Sequence, residues 1–110
     1  MNTPCEPRMY LILREDLAYK YIQGAHALSQ FSLDYSKEFK EWNNEYLICL
    51  SVFNGLALKS LVCELIVKGI EFSCFVEPDL ESSLPTAICL FDNGENNYRL
   101  ELKGLQLASR

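Results

Sequence analysis

The chain has 110 residues, of which 49% are apolar and 23% charged, and its 15 acidic side chains exceed the 10 Lys and Arg to leave a formal charge of −5. This length and apolar content predict one globular domain over residues 1–110 and exclude a disordered chain. No apolar run approaches the roughly 20 residues of a membrane span. Residues 1–7 carry two prolines and no apolar stretch. We therefore expect them to be flexible and not to form a signal peptide.

The lack of a membrane span and of a signal peptide predicts a cytoplasmic protein, the cysteine usage agrees with this, and we expect no cofactor. The 5 cysteines are widely spaced with no C-x-x-C pair, and four of them lie in apolar runs, which is typical of buried free thiols in a reducing compartment. With only 1 His, this spacing predicts no metal site. No phosphate-binding or dinucleotide-binding fingerprint occurs. The acidic surplus disfavours a large nucleic-acid surface but allows a local basic patch.

The first half of the chain predicts two strands around a long helix. A short apolar run at 8–13 predicts a buried strand. Residues 17–36 then carry small and apolar side chains at steps of three and four, which indicates a helix with Asp16 as its N-cap. Residues 37–45 form either a loop or a short helix. A second apolar run predicts a buried strand at 46–53.

The second half begins with the clearest helical pattern of the chain. Asn54 is predicted to cap a helix whose apolar residues recur with helical spacing, and Gly69 is predicted to end it. Strands are expected at 70–76 and 86–91, joined by a polar loop. Residues 98–107 are compatible with a short helix or with an edge strand.

This order predicts an α/β fold, a three-layer sandwich in which the elements run β-α-β-α-β-β and form a mixed four-stranded sheet. Ligands of such sheets bind at the carboxyl ends of the strands, where the loops after the first and third strands are expected to converge. The candidate site residues in and near these loops are Asp16, Lys20, His26, Glu77, Asp79, Ser82, Ser83 and Thr86.

Each candidate also has an ordinary structural interpretation. Asp16 is compatible with a helix cap, Lys20 with a solvated helix charge, and residues 77–79 with a simple turn. His26 lies between two alanines, so it is either a core histidine that donates to a backbone carbonyl or a general base that titrates near neutral pH. The residues alone leave these alternatives open.

Several short motifs follow one another along the chain. An R-E-D-L segment stands at 14–17, Q-G-A-H-A follows at 23–27, and a Lys-Gly pair at 68–69 follows the second predicted helix. The order of these motifs resembles the type 2 peptidyl-tRNA hydrolase family, and the end of the chain at 102–107 is similar to that family's tail. The loop at 75–80, F-V-E-P-D-L, is similar to a divergent bacterial and phage branch of that family.

The resemblance implies hydrolysis of the ester between a peptide and tRNA by an activated water, with peptidyl-tRNA as partner and commonly a homodimer. Carried over by position, Lys20 would stabilise the oxyanion or a phosphate, Glu77 or Asp79 would accept the proton, and Thr86 with Ser82 or Ser83 would position water or carbonyl. Asp16 and His26 belong to the matched segments. The family's loop Arg is missing. The alternative is therefore a catalytically degenerate member that binds a protein or a small ligand.

Overall fold

The structure, a computed structural model, describes residues 6–78 and 83–110. Residues 1–5 of the segment predicted to be flexible therefore lie outside the described residues. In chain order the elements are β1 (Arg8–Arg14), α1 (Lys20–Asp34), α2 (Ser36–Trp42), β2 (Tyr46–Val52), α3 (Gly55–Val67), β3 (Ser73–Phe75), β4 (Ala87–Asp92), a 3-10 helix (Tyr98–Leu100) and β5 (Gln106–Leu107).

The strands form one mixed sheet in the order β3-β4-β1-β2-β5. The pair β1 and β2 is parallel, with Arg8 opposite Tyr46 and Arg14 opposite Val52. The three other pairs are antiparallel. A helical crossover is needed to join the parallel pair, and α1 and α2 supply it. The predicted mixed α/β architecture is confirmed.

Helices cover both faces of the sheet because the central strand β1 is apolar on both faces. The side chains of Met9, Leu11 and Leu13 pack in one core with residues of α1 and α2. Tyr10 and Ile12 belong to a second core with residues of α3. Alternate residues of a strand point to opposite faces, so a continuous apolar run places one core on each side of β1.

Within the described residues the sheet has five strands, which corrects the prediction of four. The additional strand, β5, consists of two residues that pair with Leu50 and Ser51 of β2. The sequence left a short helix and an edge strand as alternatives for residues 98–107. The segment contains both, a 3-10 helix followed by this edge strand. Two residues are too few to produce a hydrophobic period, and therefore only the pairing with β2 reveals β5.

Helix α3 begins and ends as predicted, whereas α1 does not. Asn54 caps α3 by accepting a 2.9 Å hydrogen bond from the Ala57 amide at Oδ1. At the other end, Gly69 has a φ of +69°, and Ile70 N donates to Leu65 O. This closing turn uses Ile70, so β3 starts later than predicted.

Helix α1 begins only after Tyr19, which caps it without a side-chain hydrogen bond.

The predicted burial of the thiols is only partly correct. Cys89 is buried in β4, and this burial raises the pKa of its thiol. Cys49 and Cys74 are half-buried, whereas Cys63 is exposed on α3. Cys5 lies outside the described residues. None of the helices in the described ranges is long and apolar enough to cross a membrane.

Candidate functional site

Three side chains form a hydrogen-bonded chain beside α1, at the end of the sheet where β3 ends and β4 begins. Thr86 Oγ1 lies 2.9 Å from Gln23 Oε1, and Gln23 Nε2 lies 3.3 Å from Glu77 Oε2. Thr86 is 0% exposed, whereas Glu77 is half-buried. The chain therefore connects a buried hydroxyl to a carboxylate that water can reach, and we call it the Glu77–Gln23–Thr86 chain.

The backbone of the β3–β4 connection holds Thr86 in place. Phe75 O accepts a 2.8 Å hydrogen bond from the Thr86 amide and lies 3.0 Å from the Thr86 hydroxyl. On the other side, Gly24 allows α1 to approach β1 closely. A Cβ at this position would lie 2.7 Å from Leu13 Cδ2. The missing side chain of Gly24 thus brings its neighbour Gln23 within reach of Thr86.

The carboxylate fixes the orientation of the Gln23 amide. An ionised carboxylate only accepts hydrogen bonds, so the amide nitrogen of Gln23 must face Glu77. The amide oxygen then faces Thr86 and accepts from its hydroxyl. The amide nitrogen of Gln23 lies 3.3 Å from Oε2 of Glu77. The other carboxylate oxygen, Oε1, has no hydrogen-bond partner within the part of the chain that the structure describes.

Lys20 lies one helical turn before Gln23, but its ammonium group contacts other partners. Lys20 Nζ lies 2.6 Å from Glu15 Oε1 and 2.6 Å from Ser109 Oγ. The side chain of Lys20 is 12% exposed. Ser109 also donates to Glu15 from its backbone amide and its hydroxyl, each at 3.1 Å. The hydrogen bond from Lys20, followed by those from Ser109, lowers the pKa of Glu15 to about 2.

The predicted role of Asp16 as a helix cap is wrong. Asp16 accepts two hydrogen bonds from the Arg14 guanidinium, at 3.0 and 2.8 Å. The hydrogen bonds from Arg14 hold the pKa of this carboxyl below its usual range. Arg14 is buried and donates as well to Pro85 O at 3.2 Å. This one guanidinium therefore links the loop after β1 to the loop before β4, which the sequence predicted to converge.

The remaining candidates lie around this centre or outside the described residues. His26 is exposed, and its ring stacks on Phe75 with centroids 4.6 Å apart and planes inclined by 13°, so the interpretation as a core histidine is wrong. Ser83 is exposed in the loop before β4. Asp79 and Ser82 lie outside the described residues. Of the predicted catalytic side chains, Glu77 and Thr86 come together through Gln23, while Lys20 contacts Glu15 and Ser109.

Sequence reasoning missed Gln23, Glu15 and Ser109 as parts of this region. A signal for Gln23 exists, since it follows Lys20 by three residues and therefore lies on the same face of α1. No comparable signal marks Ser109, because it is 89 residues from Lys20 in the chain. Contacts of this kind depend on the path that the chain takes after β5.

A cavity of about 280 Å³ opens beside Glu15, between β5 and the start of α3. Its walls are mostly apolar, and they consist of Glu15, Ser51, Val52, Phe53, Ala57, Gly104, Leu105 and Gln106. Across residues 6–78 and 83–110, no group of three His, Cys, Asp or Glu is placed to hold a metal ion. The polar groups gathered in this region are the carboxylates of Glu77 and Glu15, the amide of Gln23, the hydroxyl of Thr86 and the ammonium group of Lys20.

Comparison with known proteins does not assign the chain to a family. A scan of protein-family models and a search of curated proteins both give no match.

Proposed function

We propose that the chain is a peptidyl-tRNA hydrolase-like esterase that cleaves the ester between peptide and tRNA with an activated water. The observation that carries this proposal is the Glu77–Gln23–Thr86 chain, which holds one oxygen of a half-buried carboxylate in place. An oriented carboxylate beside water is the arrangement that general base catalysis requires. The motif order supplies the substrate class, and such a substrate implies a cytoplasmic location.

In the proposed reaction, Glu77 accepts a proton as the water oxygen bonds to the ester carbonyl carbon. The bond from that carbon to the ribose oxygen then breaks, and the proton on Glu77 passes to the leaving oxygen. The products are the free peptide acid and tRNA. Gln23 and Thr86 act as positioning residues, because their hydrogen bonds keep the Glu77 carboxylate in one orientation.

Lys20 is the cation proposed to stabilise the developing oxyanion or a nearby phosphate. It lies in the first turn of α1, one turn before Gln23, and therefore at the same end of the helix as the proposed base. In the structure its charge is compensated by Glu15. The substrate must therefore compete with Glu15 and Ser109 for the ammonium group.

The compensated charge of Lys20 favours a second candidate, a catalytically degenerate binding module. An ammonium group that is already paired offers little attraction to tRNA phosphates, and the chain has a net charge of −5. In this alternative the same fold binds a protein or a small ligand. The two candidates differ in whether Glu77 supports turnover.

Turnover of peptidyl-tRNA by the wild-type chain and by E77Q tests the proposal. The substitution keeps the size of the side chain but removes the base, so we expect kcat to fall by about 10²- to 10⁴-fold. E95Q is the matched control, since Glu95 is exposed in the turn after β4, and we expect its kcat to be unchanged. Equal turnover by wild type and E77Q would refute Glu77 as the base, and the absence of turnover by the wild type would refute the esterase. The absence of salt-dependent binding of tRNA would also favour the binding module.

We further propose a homodimer, because several large apolar side chains are exposed. Phe53 is 86% exposed, Val67 85% and Leu33 76%, and a subunit interface would remove such apolar side chains from water. Light scattering is expected to give twice the mass of 12.6 kDa. A monomer mass at micromolar concentration would contradict the dimer.

A further inference from the structure

The chain leaves the sheet after β5 and crosses to the start of α1. The Ala108 amide donates to Cys49 O at 2.9 Å, which continues the path along β2 by one more hydrogen bond. Ser109 then lies against the first turn of α1. We call Ala108 and Ser109 the strap.

Every polar atom of Ser109 is used in this contact. Its amide and hydroxyl donate to the two oxygens of Glu15. Its hydroxyl oxygen accepts from Lys20 at 2.6 Å, and its carbonyl oxygen accepts from the Tyr21 hydroxyl at 2.6 Å. Six polar groups are thus satisfied together, although Ser109 itself is exposed.

The strap covers the cation that the proposed reaction uses. The Lys20 side chain is 12% exposed and the Glu15 side chain 29%, which is low for charged residues at the surface of a protein. An ion pair that water reaches freely is weak. The two hydrogen bonds from Ser109 to Glu15 hold the pair in one geometry, so the strap keeps Lys20 bound to Glu15.

We propose that the strap is an autoinhibitory contact, which a phosphate group of the RNA substrate displaces from Lys20. This inference rests on the proposed function for the role of Lys20, but the contact itself does not depend on catalysis. When the strap leaves, Glu15 loses two donors and the pair with Lys20 opens to water. A phosphate then replaces Glu15 as the anion beside the ammonium group.

The first test measures the accessibility of Lys20 without substrate. In S109P the side-chain hydroxyl and the backbone N–H are both absent, whereas S109T keeps both and is the matched control. We expect S109P to raise the rate of Lys20 acylation about tenfold. The loss of one or two hydrogen bonds raises the fraction of molecules in which the strap has left Lys20 by about that factor. The exposed Lys103 is the internal reference in the same mass spectrum. Y21F removes only the bond to the carbonyl oxygen and is expected to give a smaller increase.

The second test measures binding of deacylated tRNA and turnover of peptidyl-tRNA by the same variants. We expect S109P to raise both the affinity and the rate several-fold, and S109T to resemble the wild type. Unchanged Lys20 acylation in S109P and Y21F, or raised acylation without tighter tRNA binding, would overturn the strap proposal. If affinity and acylation rise but no variant turns over substrate, the strap holds and the esterase fails. If the wild type is active and S109P behaves identically in all three measurements, the esterase holds and the strap fails.

Discussion

Arg14 is the residue on which the geometry of the converging loops depends most directly. Its guanidinium is buried, and it donates to both oxygens of Asp16 and to Pro85 O. A buried charge is tolerated only when it is paired and its donors are used. Arg14 meets this condition with partners from two loops, and therefore it fastens the loop after β1 to the start of β4.

Gly55 makes room for the Arg14 guanidinium. A Cβ at this position would lie 2.9 Å from Arg14 Nη1 and 2.8 Å from Leu84 Cδ1. We expect G55A to lower the free energy of unfolding by about 1–2 kcal/mol, because overpacking outweighs the better helix propensity of Ala. Urea denaturation monitored by the fluorescence of Trp42 measures the change.

The matched control for this prediction is S60A, an exposed position of the same helix. We expect its free energy of unfolding to change by no more than about 0.5 kcal/mol. Equal stability of G55A and the wild type would show that the Arg14 side chain moves aside without lowering the free energy of unfolding. Such a result would remove the argument that Arg14 fastens the two loops.

At the scale of single residues, the sequence identified polar side chains near the converging loops but not the groups that they contact. Asp16 carries the ordinary signature of a helix cap, yet Arg14 binds it because the strand end places the two side chains within 3.0 Å. His26 between small residues was compatible with the core, but it is exposed because the face of α1 that carries Ala27 and Phe31 is the one packed on the sheet. Both errors concern the direction in which a side chain points.

At the scale of elements, α3 is the best-predicted part of the chain. Its cap and its apolar positions, together with its terminal glycine, all lie within 16 residues, from Asn54 to Gly69. In the turn that ends it, Gly69 N donates to Ile66 O and Ile70 N donates to Leu65 O, which is the Schellman pattern. All of these signals are local and therefore readable without the fold.

The cap of α3 gives a prediction at this scale. Asn54 Oδ1 accepts from the Ala57 amide, and N54A leaves that amide to water. We expect N54A to lower the free energy of unfolding by about 1 kcal/mol, whereas N54D retains an acceptor and most of the stability. Thermal or urea unfolding of the three proteins measures the difference. Equal losses in N54A and N54D would contradict a role for the cap.

Helix α1 shows the limit of local signals. Its predicted start differs from the observed one because residues 17–19 follow the turn around Arg14 instead of continuing the helix, as the hydrogen bond from Leu17 N to Arg14 O indicates. The first helical residue, Lys20, is thereby placed within reach of Glu15. The position of the candidate cation is thus a consequence of this delayed helix start.

At the scale of the whole molecule, Glu15 connects β1, α1 and the strap. Its folded-state pKa is about 2, below the ordinary value of 4.5. A carboxyl with a depressed folded-state pKa contributes stability that is fully present above the ordinary value and is lost as the pH falls through the folded value. The stability that Glu15 contributes is therefore expected to decline between pH 4.5 and about 2.

Urea midpoints of wild type and E15Q between pH 7 and pH 2 test this expectation. We expect the wild type to be more stable near neutral pH and the difference to shrink across that window. E95Q, which removes the same charge from an exposed position, is expected to show no such convergence. A difference between wild type and E15Q that does not depend on pH would contradict the pairing of Glu15 with Lys20 and Ser109.

Local patterns in the sequence were enough to predict β1, α1, β2, α3, β3 and β4 in this order, since apolar runs, a cap and a terminal glycine act over a few residues. They also led us to expect that the loops carrying Glu77 and Thr86 lie at the same end of the sheet as the loop after β1. The tertiary structure alone decided the fifth strand, the hydrogen bonds of Gln23 and the strap across Lys20. These depend on contacts between positions that are 54 to 94 residues apart, and no local pattern of side chains specifies which distant groups meet once the chain has closed around its two cores.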